Sequence, residues 1–560
     1  MKNLVKTFLV ITLSLIIVSC NNKPKKNDVR KKVGQLFLLA FSGNDINVVL
    51  PLIKERGIGG LYLSNDNLRE PEATAVLLNS LQKASLEGIA KVPLLTAADQ
   101  EGAWGVMVPY SSTGPGNMAL GASDPINTRK MYSVFSKELS SVGVFCNLAP
   151  VADINSNPLN PIIGTRSFGE NASDVAVRVK AAIDGLHENG TIAAAKHFPG
   201  HGNTATDSHS GIPKVSRTIK EIESVDLLPF KTAIESGVDI VMTAHIIYEA
   251  IDKNNPATLS PIILNNYLRK KLGFKGVIIT DSFNMQSIQK NYDPAEAAIL
   301  AILAGADMIM LAEERYGEDV GDYIKSQNRM LDAVEQAVIN GRIPMSRIDE
   351  AYNRLLSLKK RYKLVEKLPV DPIKAKETVG NAENKQIALS CAEAALIVIY
   401  DNKQSIPLSR GSKVSIIKLA KENVEEIIKI SEGVGPNYAN AYNDFVKEMK
   451  LENFKVQEYN FDNKKIPNEN IIIAVSENYP LPGKSLDLKE QHNRLLVLQK
   501  NNEGATIINV ALKDPYDAYQ VKPDAYVCAM GSNISNVKAA VNLLAGKIEA
   551  KGKLPVTPIN

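Results

Sequence analysis

Apolar residues fall along this chain in short runs separated by amphipathic stretches, in one long block followed by a shorter one. In the long block, residues 33–362, the runs are Gln35–Phe41, Gly59–Leu63, Pro93–Glu101, Phe145–Asp153, Ile192–Phe198, Ile240–Ile246, Gly276–Ser282 and Met308–Glu313. Between them Pro71–Gly88, Ile126–Gly143, Ser173–Gly190 and Ile219–Gly237 keep helical spacing and stop on glycine, as helix ends prefer. Eight buried strands alternating with helices predict a (β/α)8 barrel of the TIM type, with a doubly wound open sheet as the competing arrangement. Chemistry in such a barrel gathers at the carboxyl ends of the strands. Here the third run ends in Asp99-Gln100-Glu101, the fourth in Asp153, the fifth in Lys196-His197, the sixth in His245 and the seventh in Asp281. Packing alone gives no reason for apolar runs to finish on ionisable groups.

The segment 363–385 is polar, contains Pro369 and Pro372, and reads as a linker into a new helix. A smaller α/β domain over 386–560 follows. Its expected strands are Ala395–Tyr400, Lys413–Leu419, Asn470–Val475, Ala505–Val510 and Asp524–Met530, with helices such as Glu422–Ile430 and Val537–Ala545. They predict an open parallel sheet of about five strands. The fragment Gly433-Val434-Gly435-Pro436 is too short and interrupted to cradle phosphate. At the other end, Lys2 and Lys6 precede an apolar run from Phe8 to Val18 that closes on Ser19-Cys20. A basic start, a short apolar core and a small residue before the cut describe a secretory signal over 1–20. Its cysteine makes it resemble a bacterial lipoprotein signal, with Cys20 as the lipid-bearing residue. Residues 21–32 are polar and basic and read as a disordered tether that holds the body off a membrane. The expected location is therefore the cell envelope.

Composition adds three constraints. A chain of 560 residues is long for one core, so two domains are the natural reading. Its net charge of +4 is matched by the basic tether, and nothing points to nucleic acid or to an obligate protein partner. Cys146, Cys391 and Cys528 are too scattered for a disulfide framework and read as small buried hydrophobes.

The chemistry concentrates in Lys196-His197-Phe198-Pro199-Gly200-His201-Gly202 and Asp207-Ser208-His209, for four of the six histidines lie between His197 and His245. A metal site is one reading of His197 and His201, but Pro199 and Gly200 break any helix that would align them. Acid–base chemistry is another: in an extended loop Asp207 and His209 point the same way, so the carboxylate orients the ring and raises its pKa. The alternative is an aspartate capping the loop beside an exposed histidine. Asp281, at the end of a buried strand, must be solvated at a mouth or paired, or else caps the next helix.

With these residues in place, the chain resembles glycoside hydrolase family 3, in its branch of β-N-acetylglucosaminidases. Lys196–Gly202 with Asp207-Ser208-His209 looks like that branch's loop. Ala149–Asp153 through Gly164–Gly169, Pro256–Ser260, Leu268-Arg269 and the strand ending at Asp281 match other family blocks. The resemblance implies Asp281 as nucleophile, Asp207 and His209 as acid/base dyad, and Asp99, Arg166, Lys196, His197 and His245 as the sugar subsite. It implies a retaining glycosidase without metal or organic cofactor, acting on amino-sugar oligosaccharides such as peptidoglycan fragments or chitooligosaccharides, with its reacting groups about 5–5.5 Å apart or somewhat more for an imidazole. The run Asp99-Gln100-Glu101-Gly102-Ala103-Trp104 departs from the family's usual double glycine, and Trp104 is either a sugar-stacking platform or a core anchor. The alternatives are a β-glucosidase or xylosidase, an N-acetylglucosamine phosphorylase, and a non-catalytic sugar-binding lipoprotein.

Overall fold

The computed structural model describes residues 25–557 except 66, 103–109, 161, 205–211, 313–319, 420–440, 462–468, 478–488, 514 and 517–520. Eight short strands form the first sheet: β1 (Phe37–Leu39), β2 (Gly60–Tyr62), β3 (Leu95–Ala98), β4 (Cys146–Asn147), β5 (Ile192–Phe198), β6 (Ile240–Thr243), β7 (Val277–Ile279) and β8 (Ile309–Met310). Each lies parallel to the next, and β8 lies parallel to β1. A parallel bridge from Ile279 to Met308, beside the Thr280 N–H on Met308 O at 3.0 Å, joins β7 to β8. The sheet is a barrel. Most of the ladders are shorter than their apolar runs because carboxyl-side residues such as Asp99, Glu101 and Thr280–Ser282 leave the sheet to form the mouth.

Helices cover the barrel for a local reason and a packing reason. Asp124, Asn171 and Asp293 each accept a first-turn N–H and so start the helices Pro125–Val142, Ala172–Glu188 and Pro294–Ala304. Apolar stripes such as Met131, Phe135, Leu139 and Val142 are then buried against the strands.

The second sheet holds β9 (Ile397–Asp401), β10 (Lys413–Lys418), β11 (Lys455–Asn460), β12 (Ile471–Ser476), β13 (Thr506–Ala511) and β14 (Ala525–Cys528). Its order is β9-β14-β13-β12-β10-β11, with β9 antiparallel and the other pairs parallel. Two apolar clusters, one built on Val414, Val475 and Val541 and one on Ile472, Tyr526 and Leu495, fill its two faces. The sequence missed β11, whose Lys-Val-Gln-Glu-Tyr-Asn is polar enough for an edge, and missed the reversal of β9. The expected helix Glu422–Ile430 and the fragment Gly433–Pro436 lie outside the described residues, as do Cys20 and the signal segment.

Two expectations need correcting. Residues 26–32, assigned to a disordered tether, begin a helix that runs from Lys26 to Gln35. Val29 and Val33 form an i, i+4 stripe buried in the barrel core, and Arg30 and Lys32 pair with Glu335 and Asp349 of later helices. Residues 363–385, read as a linker, are ordered as well. Val370 exchanges two hydrogen bonds with the Asn79 side chain (2.8 and 2.9 Å), and Pro372–Thr378 is a helix capped by Asp371. Cys146, Cys391 and Cys528 are buried, as expected.

The amino ends of the strands carry stability. Asp307, fully buried, accepts from Arg347 and Arg354 at 2.9 Å, from the Ile278 N–H at 3.0 Å and from Arg269. Three cations converge on one carboxylate that spans two strands and two outer helices. Asp307→Asn is expected to cost about 3 kcal/mol, because three half-buried guanidinium groups lose the buried counter-charge they share. Urea unfolding checks the loss, and the folded fraction should keep its turnover, since this end of the barrel is remote from the mouth.

Candidate active site

At the opposite end the strands deliver a second charged cluster. Asp99 and Glu101 follow β3, Lys196 sits in β5, and Arg166 comes from the turn Gly164–Arg166 after β4. Arg166 grips Glu101 with two bonds, Nε to Oε2 at 3.0 Å and Nη2 to Oε1 at 2.9 Å. Lys196 Nζ bridges the pair of acids, reaching Glu101 Oε1 at 2.6 Å and Asp99 Oδ1. Tyr62, ending β2, donates to the other Asp99 oxygen at 2.9 Å. Glu101 and Lys196 are buried, whereas Asp99 (17 % exposed) and Arg166 (14 %) open onto the mouth. Burial pushes the Glu101 carboxyl up, but the Arg166 and Lys196 charges outweigh it and hold the group well below the usual range. Lys196 is raised: burial works against its charge, and Asp99 and Glu101 more than offset it.

The histidines divide the remaining work. His197 presents Nδ1 to Asp153 Oδ2 at 2.7 Å, and the other Asp153 oxygen accepts the N–H groups of His197 (3.2 Å) and His201 (2.6 Å). Asp153 therefore fixes the ring, whose Nε2 on the far side has no hydrogen-bond partner among the described residues. His201 turns Nδ1 to Thr204 Oγ1 at 3.0 Å, and its pKa is lowered to about 4 by burial, so it is neutral. Nδ1 of the two rings thus goes to different partners, and the rings stand edge to face with centroids 6.0 Å apart. Among the described residues no group of His, Cys, Asp or Glu is arranged to hold a metal ion.

Asp281 follows β7 and is half-buried. Burial raises its carboxyl, but the His197 and His245 rings, the Ser282 N–H at 2.7 Å and the Lys196 ammonium bring it below the ordinary aspartate range. It is an ionised carboxylate at neutral pH. His245, itself lowered chiefly by burial, commits both ring nitrogens to the protein: Nδ1 to Thr258 Oγ1 at 2.8 Å and Nε2 to the Ser282 carbonyl at 3.0 Å. Its place is behind Asp281, gripping the next peptide.

The structure thus gathers Asp99, Arg166, Lys196, His197, His245 and Asp281 at one mouth. Asp207, Ser208, His209 and Trp104 lie outside the described residues. The stretch leading to 205 is tightly anchored: Gly202 comes so close to Ile154 O that a Cβ there would stand 1.6 Å from it, and Asn160 donates to His201 O at 2.9 Å. On the far side Lys214–Val215 pairs with Ile247–Tyr248. Glu101 and Asp153 were visible in the sequence as strand ends but received no role there; an acid closing an apolar run was the available signal. Thr258 lay within the matching block Pro256–Ser260 without a role of its own, and Tyr62 carried no signal.

Residues 28–358 match the family model described as the Glycosyl hydrolase family 3 N terminal domain. Beta-hexosaminidase A of Pseudoalteromonas piscicida is 28 % identical over 558 residues, covering 90 % of each chain. A Beta-hexosaminidase of Idiomarina loihiensis is 32 % identical over 274 residues, which are 48 % of this chain and 80 % of that protein. The fold is also similar to a solved glycoside hydrolase family 3 beta-N-acetylglucosaminidase from Paenibacillus sp., with 29 % identity and a TM-score of 0.83 over 94 % of this chain and 98 % of that one.

Glu101→Gln takes from Arg166 its bidentate carboxylate and, among the described residues, leaves Lys196 with Asp99 alone. We expect kcat/KM to fall about a hundredfold, the loss of roughly 3 kcal/mol of charged hydrogen bonding. Because the Glu101 carboxyl is depressed, its pairing stabilises the fold above the ordinary glutamate range and is lost as pH falls through its lowered value. The variant's thermal deficit should therefore narrow from about pH 7 towards about pH 3, which melting curves at both values check.

Proposed function

The chain belongs to glycosyl hydrolase family 3, and from that footing we propose that it is a retaining exo-β-N-acetylglucosaminidase. The carrying observation is Asp281: an ionised carboxylate at the end of a barrel strand, facing a cluster of fixed donors. The names and extents of the hexosaminidase relatives support the amino-sugar reading.

In this reading the Asp281 carboxylate attacks the anomeric carbon while His209, held by Asp207, gives its proton to the departing glycosidic oxygen. His209 then takes a proton from water, whose oxygen displaces Asp281 and frees the sugar. Asp99, Arg166 and His197 present polar atoms for the sugar hydroxyls, and Lys196 holds Asp99 in place. Each bond is strongest where charge develops at the ring, so the cluster acts on the transition state more than on the bound sugar. Cys20 would tie the enzyme by a lipid to an envelope membrane, within reach of peptidoglycan fragments or chitooligosaccharides.

Nitrophenol release from the β-N-acetylglucosaminide and the β-glucoside tests both sugar and roles. We expect activity on the first substrate only, with a loss of about 10⁴-fold or more in Asp281→Ala and about 10²–10⁴-fold in His209→Ala. Preference for the glucoside, or indifference to His209, would sink the dyad. Sugar 1-phosphate as the main product in phosphate buffer would replace hydrolysis by phosphorolysis.

A further inference from the structure

We infer that Asn533 of the second domain is a positioning residue for the sugar subsite, tying Gly102, the residue after Glu101, to Gly114. Asn533 occupies the N-cap of the helix Ile534–Leu544, where an asparagine ordinarily accepts a first-turn N–H of its own helix. It makes no such bond. Its amide nitrogen instead crosses to the barrel and donates to Gly114 O at 2.7 Å and to Gly102 O at 3.3 Å. Gly102 is the residue after Glu101, so one buried amide holds both the exit from the charge cluster and the return of the chain.

Neighbouring residues of the same turn aim at the same target. Ser535 Oγ donates to Thr113 O at 3.4 Å, and Asn536 Nδ2 donates to Pro115 O at 3.1 Å. Gly531 lets the backbones meet, for a Cβ there would stand 2.4 Å from Pro115 O. The returning chain then touches the cluster from its other side: Asn117 donates to the Arg166 carbonyl at 2.7 Å and is itself held by the Tyr132 hydroxyl at 2.8 Å. The staple therefore reaches Glu101 through Gly102 and Arg166 through Asn117. It sets the distance between the two partners of the bidentate pair, and through Glu101 the position of Lys196.

The inference rests on the sugar-subsite reading above, and its test uses the full chain with three variants. Asn533→Ala loses the staple and leaves the helix without a side-chain cap, whereas Asn533→Ser loses the staple but can cap its own helix. Thr557→Ala weakens a domain contact elsewhere, removing the Thr557 hydroxyl's bond to Glu170 while the N–H bond to the same carboxylate stays. KM and kcat are measured on whichever nitrophenyl glycoside the wild type cleaves fastest, so a wrong sugar overturns the function and leaves these ratios readable. We expect KM to rise about five- to thirtyfold in both Asn533 variants, with the melting temperature recovering in Asn533→Ser but KM not. Thr557→Ala should keep the wild-type KM. Amide hydrogen exchange gives a reading free of activity: residues 110–116 should exchange faster in Asn533→Ser and unchanged in Thr557→Ala. Wild-type KM in Asn533→Ala, KM recovering together with stability in Asn533→Ser, or an equal rise in Thr557→Ala would each overturn the staple.

Discussion

Two carboxylates and two cations lie together at the barrel's mouth, and burial is tolerable for them only because they cancel. Lys196 and Glu101 are 2 % and 1 % exposed in their side chains. Either one unpaired would cost several kcal/mol. Cancellation requires β3, β5 and the turn Gly164–Arg166 to bring four groups to one point, so the charge pairing and the closure of the barrel depend on each other. Asp281 lies at the same mouth, where β7 ends beside β6. Its low proton affinity comes first from the His197 and His245 rings, then from the Ser282 N–H and the Lys196 ammonium of this cluster.

Ionisable groups occur at both ends of the barrel, so charge alone does not mark the site. At the amino end Asp239 is saturated by the protein: His187 at 3.0 Å, the Tyr362 hydroxyl at 2.6 Å, the Ala193 N–H at 3.0 Å, and Arg361. Lys359, lowered to about 7 by burial, spends itself on Gln35 Oε1 and Gly59 O. Among the described residues Asp281 has one hydrogen bond, from Ser282. A carboxylate kept ionised and yet under-coordinated has lone pairs to offer a ligand. That contrast distinguishes a group that braces the fold from one that meets a substrate.

The barrel was legible because period and spacing survive in the apolar runs, and each run from Gln35 to Glu313 contains one strand. The strand-end acids were legible for the same reason. Two things were not. The helix Lys26–Gln35 hides in a basic stretch, since Val29 and Val33 alone in its interior are apolar and their partners come from residues 335 and 349. Distance in sequence conceals such pairings. His245 shows the same limit within the site: its place in the sequence cannot reveal that Thr258 and Ser282 take both ring nitrogens.

The segment that joins the domains shows why composition misled there. Glu138, on the helix Pro125–Val142, is raised by burial and accepts the N–H groups of Ser112 and Gly380 and the Asn384 amide, each at 2.9 Å. One carboxylate thus ties a barrel helix, the chain returning from β3, and the connection to the second domain. Polar residues such as Asn384 are there to satisfy this acceptor, not to stay in water, and a hydrophobicity scale cannot tell the two uses apart. Because Ser112 belongs to the same stretch that Asn533 reaches from the other domain, the connection, the second domain and the mouth share one set of hydrogen bonds. Severing the domains would leave buried polar groups on the barrel without partners, close to the charges that the mouth must keep balanced.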